Sequence, residues 1–314
     1  MNSEGTRRPV LGWVIGVGLL AGLVALTHYS VGWETLLTPW REISPVVLGG
    51  AFSLVLGSYA LRTVRVHDYF HPTTSGRFLR TFRLVLLHNL FNNLLPMRSG
   101  EASFPILMAR DFRVPFSRSI PGLLYLRVLD LHFVLLLGAV VLAWERGALA
   151  WILALLLAPI PYGIFRAKEW LGARLAGAGG RLVTVGREAL LGLPGTSTLF
   201  WKTWLWTGVN WTVKLMVFAW ILRAFTPMPF SHALLGSTTG ELSSVLPFHG
   251  IAGAGTYEAG VLASLVPLGV ELEAALKAAV NLHLFVLGAS ILAGAMAALA
   301  PIVRKNPGET TENS

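Results

Sequence analysis

Residues 93 to 105 read NLLPMRSGEASFP, and they interrupt a strongly apolar stretch with a proline, an arginine, a glycine and a glutamate. The apolar stretch runs from Leu84 to Ala109 and is divided at Pro96 into halves of about 12 residues, each about 18 Å long as helix. Basic residues flank it on both sides: Arg80, Arg83, Arg110, Arg113 and Arg118. Because basic flanks stay in the cytoplasm, the pattern predicts a re-entrant helical hairpin that turns in the middle of the bilayer. The alternative is two short full crossings, which also leave both ends of the stretch on the same side of the membrane.

The composition of the whole chain indicates a polytopic α-helical membrane protein. Of its 314 residues, 54% are hydrophobic and only 13% are charged, and the mean hydropathy is +0.62, far from the composition of a soluble domain. The net charge of +9 does not indicate nucleic acid binding, because Arg and Lys fall between apolar segments rather than on one helix face. The absence of cysteine excludes disulfides and thiolate metal sites.

Apolar segments long enough to cross a bilayer, which takes about 20 residues, recur along the chain. We predict six long transmembrane helices, roughly over Val10 to Thr27, Pro45 to Val64, Ile120 to Trp144, Ala148 to Phe165, Thr203 to Leu222 and Ala274 to Val303. The first segment is long for a cleaved secretory signal and is expected to remain as a span.

Positive charges between these segments give the topology. Two arginines before the first span place the N-terminus in the cytoplasm. The connections 62–83, which includes Arg62 and Arg65, and 166–202 are then cytoplasmic, as is the C-terminus. We expect 166–202 to be an amphipathic connector on the membrane surface, with a soluble linker as the alternative.

A second apolar region, 232–267, is divided in the same way, by Pro247 and the glycine-rich residues after it. The topology puts both of its ends outside. Residues 45 to 144 and residues 203 to 303 are therefore each predicted to contain a span, a re-entrant hairpin and a span, with the two hairpins entering from opposite sides. This is an inverted-topology repeat, the architecture of many transporters. We predict a single transmembrane domain over 1–303 and a disordered tail over 304–314.

Each hairpin tip has the composition of an anion site. In the first, Pro96 ends the inbound helix, Gly100 permits a tight turn, and Arg98 offers a planar donor fork for phosphate or carboxylate. The returning helix begins with unsatisfied amide N–H groups and the positive end of its dipole. The second tip offers the same chemistry with Pro247, His249, Gly253, Gly255 and Glu258.

The carboxylates and the R-x-x-D motif each have a structural alternative. Glu101 and Glu258 are expected in the first turn of a return helix, where the dipole alone favours a carboxylate. Arg127 and Asp130 are three residues apart on one helix and can simply neutralise each other.

Further polar groups are predicted at the same depth, about 12 to 16 Å into their spans, where an ionisable residue normally faces a cavity or a partner. Lys214 is expected to pair with either Asp130 or Glu241. We expect His88 to take no part. Two residues are expected to bridge helices rather than bind a ligand: Asn281 and His283.

Enzyme motifs are scarce. The chain has no H-E-x-x-H pair and no G-K-[ST] phosphate loop, and GSTTGE at 236–241 has no histidine placed as a general base. We therefore expect no catalytic residues, no cofactor and no metal.

Three segments together resemble the membrane region of lysylphosphatidylglycerol synthases, also called flippase-like domain proteins. They are NLLPMRSGE with the following PILMAR, then LRVLDL, and then SSVLPFHGIAGAGTYEAG followed by LGV. The resemblance spans about residues 10 to 303. It implies a flippase that carries an aminoacylated or glycosylated lipid between leaflets, and no fused synthase domain is expected after residue 303.

By motif position the resemblance implies these site residues: Pro96, Arg98, Gly100, Glu101, Arg127, Asp130, Pro247, Gly253, Gly255 and Glu258. Two departures stand out. Phe104 lies where the family commonly has an arginine, and Leu126 where a glutamate often precedes the arginine of R-x-x-D. The chain thus lacks one positive and one negative group of the family's pattern.

The sequence predicts a lipid transporter of the bacterial inner membrane. Arg98 and the helix N-termini would hold phosphate, and three carboxylates would take an amine, a sugar hydroxyl or a proton: Glu101, Asp130 and Glu258. The substrate and partner is a membrane lipid, with a lipid-modifying synthase or glycosyltransferase as a further partner. Two alternatives remain: a membrane-embedded enzyme or accessory subunit of a lipid-modifying transferase, and a small-solute transporter.

Overall fold

The computed structural model of the protein describes residues 4–177, 179–245 and 251–300, and the regular structure in these ranges is helical throughout. The α-helices are α1 (Glu4–Ser30), α2 (Trp33–Glu42), α3 (Pro45–Tyr69), α4 (Phe78–Leu94), α5 (Ser103–Phe112), α6 (Phe116–Arg146), α7 (Ala148–Leu157), α8 (Ile160–Arg166), α9 (Lys168–Ala176), α10 (Arg181–Leu191), α11 (Ser197–Phe225), α12 (Phe230–Val245), α13 (Thr256–Leu265) and α14 (Leu272–Leu299). Short 3₁₀ segments form the first tip (Pro96–Ala102) and the second tip (Ile251–Gly253).

Six helical segments of the described chain are long and apolar enough to cross a membrane: Pro45–Tyr69, Phe116–Glu145, Ala148–Arg166, Ser197–Phe225, Ile251–Leu268 and Leu272–Leu299. Five of them coincide with predicted spans. The remaining one, Ile251–Leu268, is the second half of the second predicted hairpin. The first predicted span lies in α1, where the structure describes a shorter apolar helical segment, Val17–Ser30. Pro247, His249 and the tail 304–314 lie outside the described residues.

The first predicted hairpin consists of α4, the first tip and α5. The two helices have 17 and 10 residues, or about 25 and 15 Å of helix, and both are therefore shorter than the roughly 30 Å hydrocarbon core of a bilayer. The inbound half is longer than the sequence suggested, since it begins at Phe78. Arg113, in the left-handed conformation with φ 57°, ends α5.

Two sets of five elements follow each other in the same order: α3, α4, first tip, α5, α6, and then α11, α12, second tip, α13, α14. The contacts between the two sets are reciprocal: an element of one set contacts the same partner in the other set as its counterpart does. Helix α3 packs against α11, α4 against α14, α12 against α6, and the first tip against the second tip. The order of the elements and the contacts between them therefore correspond in the two sets.

The first helix of each set starts at an equivalent position with the same kind of cap. Ser44 Oγ accepts a hydrogen bond from Val46 N at the start of α3, and Thr196 Oγ1 accepts one from Leu199 N at the start of α11. Counting from these starts makes Arg62 equivalent to Lys214 and Asn89 equivalent to Glu241.

The first tip is held by a close approach that only glycine allows. A Cβ on Gly100 would collide with the backbone of Phe91 and Asn92 at the end of α4. The backbone strain lies two residues earlier, at Arg98, with φ 56°. Gly100 was predicted to permit a tight turn, but its requirement is the absence of a side chain, because the tip folds back onto α4.

Small residues let the two helices of the second hairpin, α12 and α13, pack closely against each other. Cβ atoms on Gly236 and Gly240 would lie 3.1 and 2.9 Å from side chains of Leu265 and Tyr257 on α13. This is the small-x-x-x-small spacing by which helices approach closely where lipid provides no hydrophobic driving force between them. The GSTTGE segment is thus a packing surface.

Candidate functional site

A cleft opens among α3, α4, α5 and α6, and we call it the first cleft. Its lining contains three arginines and one aspartate among apolar side chains: Arg62, Arg65, Val66, Val85, His88, Phe104, Leu123, Leu126, Arg127 and Asp130. The two departures from the family pattern, Phe104 and Leu126, are therefore part of this lining. Arg127 and Asp130 of the R-x-x-D motif lie in this lining, together with two arginines that were not predicted there.

Asp130 is the central acceptor of the first cleft and is only 1% exposed. Arg65 Nη1 donates to its Oδ1 at 2.6 Å, Arg127 Nη1 to its Oδ2 at 3.2 Å, and Trp211 Nε1 to its Oδ1 at 2.9 Å. The contact between Arg127 and Asp130 that the sequence suggested is present. It belongs to a larger network, because α3 and α11 also hold this carboxylate.

The carboxylate of Glu101 joins the first tip to α6. Arg98 Nη2 donates to its Oε1 at 2.5 Å, and Arg127 Nε lies 2.9 Å from the same oxygen. The glutamate lies in the 3₁₀ tip, before the start of α5. The donor fork of Arg98, predicted for an anion, is thus partly occupied by a carboxylate of the protein itself.

His88 is part of this network, and the prediction that it takes no part was wrong. Its Nε2 lies 3.0 Å from Arg127 Nη2 and must accept, since a guanidinium only donates. Ser103 Oγ donates to Gly100 O at 2.6 Å, so His88 Nδ1–H donates to Ser103 Oγ at 2.9 Å. These bonds assign a neutral imidazole.

Arg62 and Arg65 were predicted as cytoplasmic loop charges, and the structure corrects this. Both lie inside α3 and are buried, with 7% and 2% of their surface exposed. Arg62 Nη1 donates to Asn89 Oδ1 at 3.2 Å, and the Nε atoms of both arginines have no hydrogen-bond partner within the described part of the chain. Their i, i+3 spacing within an otherwise apolar helix was the available signal.

The charges of the first cleft do not balance. The lining has three arginines and one aspartate, and the nearby Arg98 and Glu101 cancel each other, which leaves two positive charges in excess. Buried charge of one sign is costly unless an opposite charge joins it. The first cleft is therefore suited to an anion.

Another cleft, which we call the second cleft, lies among α11, α12, the second tip, α13 and α14 and also takes residues from α4. Its lining is mostly polar: Asn92, Asn93, Lys214, Glu241, Ser244, Ala252, Gly253, Tyr257, His283, Val286 and Leu287. Lys214 Nζ donates to Glu241 Oε2 at 2.6 Å, which decides between the two predicted partners of this lysine. Asp130 is held by Arg65 instead.

Glu258 caps the N-terminus of α13, as predicted, and also contacts His283. Its Oε2 accepts from Gly255 N at 2.8 Å, and its Oε1 lies 2.6 Å from His283 Nδ1. The N-terminus of α13, predicted to expose amide groups to an anion, is thus capped by its own carboxylate. His283 bridges α14 to α13 as predicted, and its ring stacks on Tyr257 with centroids 4.5 Å apart.

Glycines bring the second tip close to α14. Gly253 and Gly255 have φ values of +79° and +82°, which favour glycine. A Cβ on Gly253 would lie 3.3 Å from the His283 ring.

Asn281, two residues before His283, bridges helices, as predicted. Its Oδ1 accepts from Trp40 Nε1 at 2.7 Å, and its Nδ2 donates to Leu36 O at 2.9 Å. These bonds join α14 to α2.

Polar pairs recur at equal spacing in the two sets. Arg62 donates to Asn89 and Lys214 donates to Glu241, each pair being 27 residues apart. After each tip, a glutamate contacts a basic residue on the next long helix: Glu101 with Arg127, 26 residues apart, and Glu258 with His283, 25 residues apart. The two clefts are therefore equivalent sites with different charges.

A chain of hydrogen bonds links the two clefts. We call it the polar bridge, and its residues are Tyr59, Asn89, Asn93 and Ser290. Asn89 Nδ2 donates to Tyr59 Oη at 3.0 Å and to Ser290 Oγ at 3.3 Å, and Asn93 Nδ2 donates to Ser290 Oγ at 2.6 Å. Asn89 also contacts Arg62 of the first cleft, and Asn93 lines the second. Nothing in the sequence indicated this bridge, because it pairs α4 with α3 and α14.

Among the described residues, no group of His, Asp or Glu could hold a metal ion.

The sequence model of one protein family, described as "Lysylphosphatidylglycerol synthase TM region", matches residues 13–294. This range includes both clefts and the polar bridge. No curated protein and no solved structure matches the chain.

Proposed function

The chain belongs to the lysylphosphatidylglycerol synthase TM region family, as its motifs predicted, and we propose that it moves a phospholipid or glycolipid between the leaflets of the membrane. The observation that carries this proposal is the buried excess of positive charge in the first cleft. A lipid phosphate, which carries one negative charge as a diester, would reduce this excess, while the acyl chains stay in the bilayer.

The donors of the first cleft fit a phosphate oxygen in number and type. Arg62 gives one described hydrogen bond, to Asn89, and retains further N–H groups. Guanidinium groups bind phosphate in a fork geometry that lysine does not offer. Apolar residues such as Phe104 and Leu126 line the same cleft and fit the hydrocarbon next to a head group.

The repeat supports a transport mechanism. If each hairpin enters the membrane and returns, the parity of the spans makes α3 and α11 run in opposite directions, and the repeat is inverted. The two clefts then lie on opposite sides of the tip contact, and rocking of one set against the other would expose them alternately. The basic residues of the connections support cytoplasmic termini under this topology, and the proposed location is a bacterial inner membrane.

The test is a leaflet assay. Wild-type protein is reconstituted into phosphatidylcholine vesicles that contain fluorescent phosphatidylglycerol, and external dithionite bleaches only outer-leaflet label. We expect wild type to expose the inner-leaflet label. Arg118→Gln, on the exposed part of the same helix as Arg127, is the matched control and keeps this activity, whereas Arg127→Gln loses it.

Equal protection of the label in empty and wild-type vesicles would contradict the proposal. The assay is repeated with fluorescent phosphatidylethanolamine, so that head-group charge is compared on the same scaffold. A small-solute transporter would leave both probes in place.

A further inference from the structure

The second cleft differs from the first in the basic residue that contacts the glutamate following its tip. In the second cleft this residue is a histidine, which can lose its charge. Where the first cleft has Glu101 with Arg127, the second has Glu258 with His283. An arginine stays protonated at every physiological pH, and a histidine does not.

The charges of the second cleft balance only with one added proton. Lys214 and Glu241 neutralise each other at 2.6 Å, and Glu258 is 3% exposed. With a neutral His283 the cleft has one buried negative charge in excess. With a proton on the pair of Glu258 and His283, it has none, and the cost of burying an unpaired charge is removed.

The geometry allows this proton to exchange without breaking the pair. His283 Nδ1 faces Glu258 Oε1, and His283 Nε2 points past Gly253 on the lining of the cleft. Nε2 has no hydrogen-bond partner that the described residues provide. A proton can therefore enter or leave at Nε2 while the Nδ1 contact is kept.

The described neighbours of the pair carry no unpaired charge that would take the place of this proton. Among the residues that the structure describes, the titratable and charged groups that face it are Lys214 from α11 and Glu241 from α12, which pair with each other, and Tyr257 from α13. From α4 the cleft receives the neutral Asn92 and Asn93, and the described part of α1 contributes Leu19 beside Gly255. The charged groups of the first tip, Arg98 and Glu101, pair with each other.

We propose that the Glu258–His283 pair is a binding site for one exchangeable proton and that its loading is coupled to occupancy of the first cleft by an anion. The coupling runs through the polar bridge, since Asn93 lines the second cleft and Asn89 contacts Arg62. The proton site stands on the structure alone, whereas the coupling rests on the proposed lipid transport.

The first arm of the test measures the proton without any transport. Whole protein in lipid nanodiscs carries isotope-labelled histidine, and the imidazole nitrogen shifts are followed by NMR between about pH 5 and pH 8, where histidine normally titrates. The signal missing in His283→Gln identifies the residue, and His28→Gln, exposed on α1, is the control. We expect the imidazole nitrogen shifts of His283 to change with pH over this range and to differ between wild type and Glu258→Gln, which retains an acceptor for Gly255 N. A His283 that keeps one protonation state over the whole range would overturn the proton site.

The second arm uses the phosphatidylglycerol vesicles with a pH difference across the membrane. Coupling predicts that the label accumulates in one leaflet and that reversing the gradient reverses the leaflet, by at most about tenfold per pH unit for one proton per lipid. Glu258→Gln is expected to remove the dependence of the leaflet distribution on the pH gradient. Movement that ignores both gradients would overturn the coupling and leave the proposed function intact. Absence of movement under every condition would contradict the proposed function and with it the coupling, while the NMR result still decides the proton site.

Discussion

Arg62 and Lys214 occupy equivalent positions, each on the first long helix of its set and each donating to the residue 27 positions further along the chain. Their partners differ. Arg62 contacts the neutral amide of Asn89, whereas Lys214 contacts the carboxylate of Glu241. Arg62 therefore forms no ion pair with a described carboxylate, whereas Lys214 is neutralised by Glu241.

This difference predicts opposite effects on stability for equivalent substitutions. Arg62→Gln removes a charge that no described carboxylate neutralises, so the melting temperature is expected to stay the same or rise. Lys214→Met leaves Glu241 buried without its partner and is expected to destabilise by about 3 to 5 kcal/mol. Thermal unfolding in one detergent compares the two, and Lys214→Met combined with Glu241→Leu is expected to restore most of the loss. Equal losses for both single variants would contradict the charge assignment.

The first tip depends on Gly100 having no side chain. Gly100→Ala places a methyl group against the backbone of Phe91 and Asn92, and we expect a loss of about 1 to 3 kcal/mol from overpacking. The control is Gly57→Ala in α3, where a Cβ meets nothing within 4 Å and the helix gains from alanine. Melting temperatures of the two variants check this, and a Gly100→Ala protein as stable as wild type would show that the tip does not fold back as described.

The polar bridge is predicted to open during transport. The chain has no cysteine, so Asn93→Cys with Ser290→Cys gives a single engineered pair at a contact that is 2.6 Å long in this structure. Oxidation is expected to join α4 to α14 and stop movement of the fluorescent lipid, and a reductant is expected to restore it. Each single cysteine variant under the same oxidant is the control. Undiminished movement in the cross-linked protein would show that the two helices need not separate.

Much of the architecture could be predicted from the sequence because apolar length and basic flanks are local signals. Five of the predicted spans agree with the structure, and Pro96 marks the end of α4. The Asn281 bridge and one of the two partners weighed for Lys214 followed from a general rule, since polar groups in apolar helices need partners.

The charges of the first cleft could not be predicted in the same way. Arg62 and Arg65 lie near the end of α3, where arginine ordinarily marks the cytoplasmic side, and only the fold shows them turned inward to Asp130 and Asn89. His88 was missed because its partner Arg127 is 39 residues away on another helix. Equal spacing of polar pairs becomes visible only once the helices that contact each other are known.

The central claim is that the first cleft binds an anionic lipid head group, and native mass spectrometry of the protein purified with its own lipids tests it most directly. Wild type is compared with Arg62→Gln, which we expect to fold normally, and with the exposed control Arg118→Gln. We expect wild type and Arg118→Gln to retain one class of phosphate-bearing lipid and Arg62→Gln to lose it. Retention of the same lipids in the same amounts by all three proteins would contradict the assignment of the first cleft.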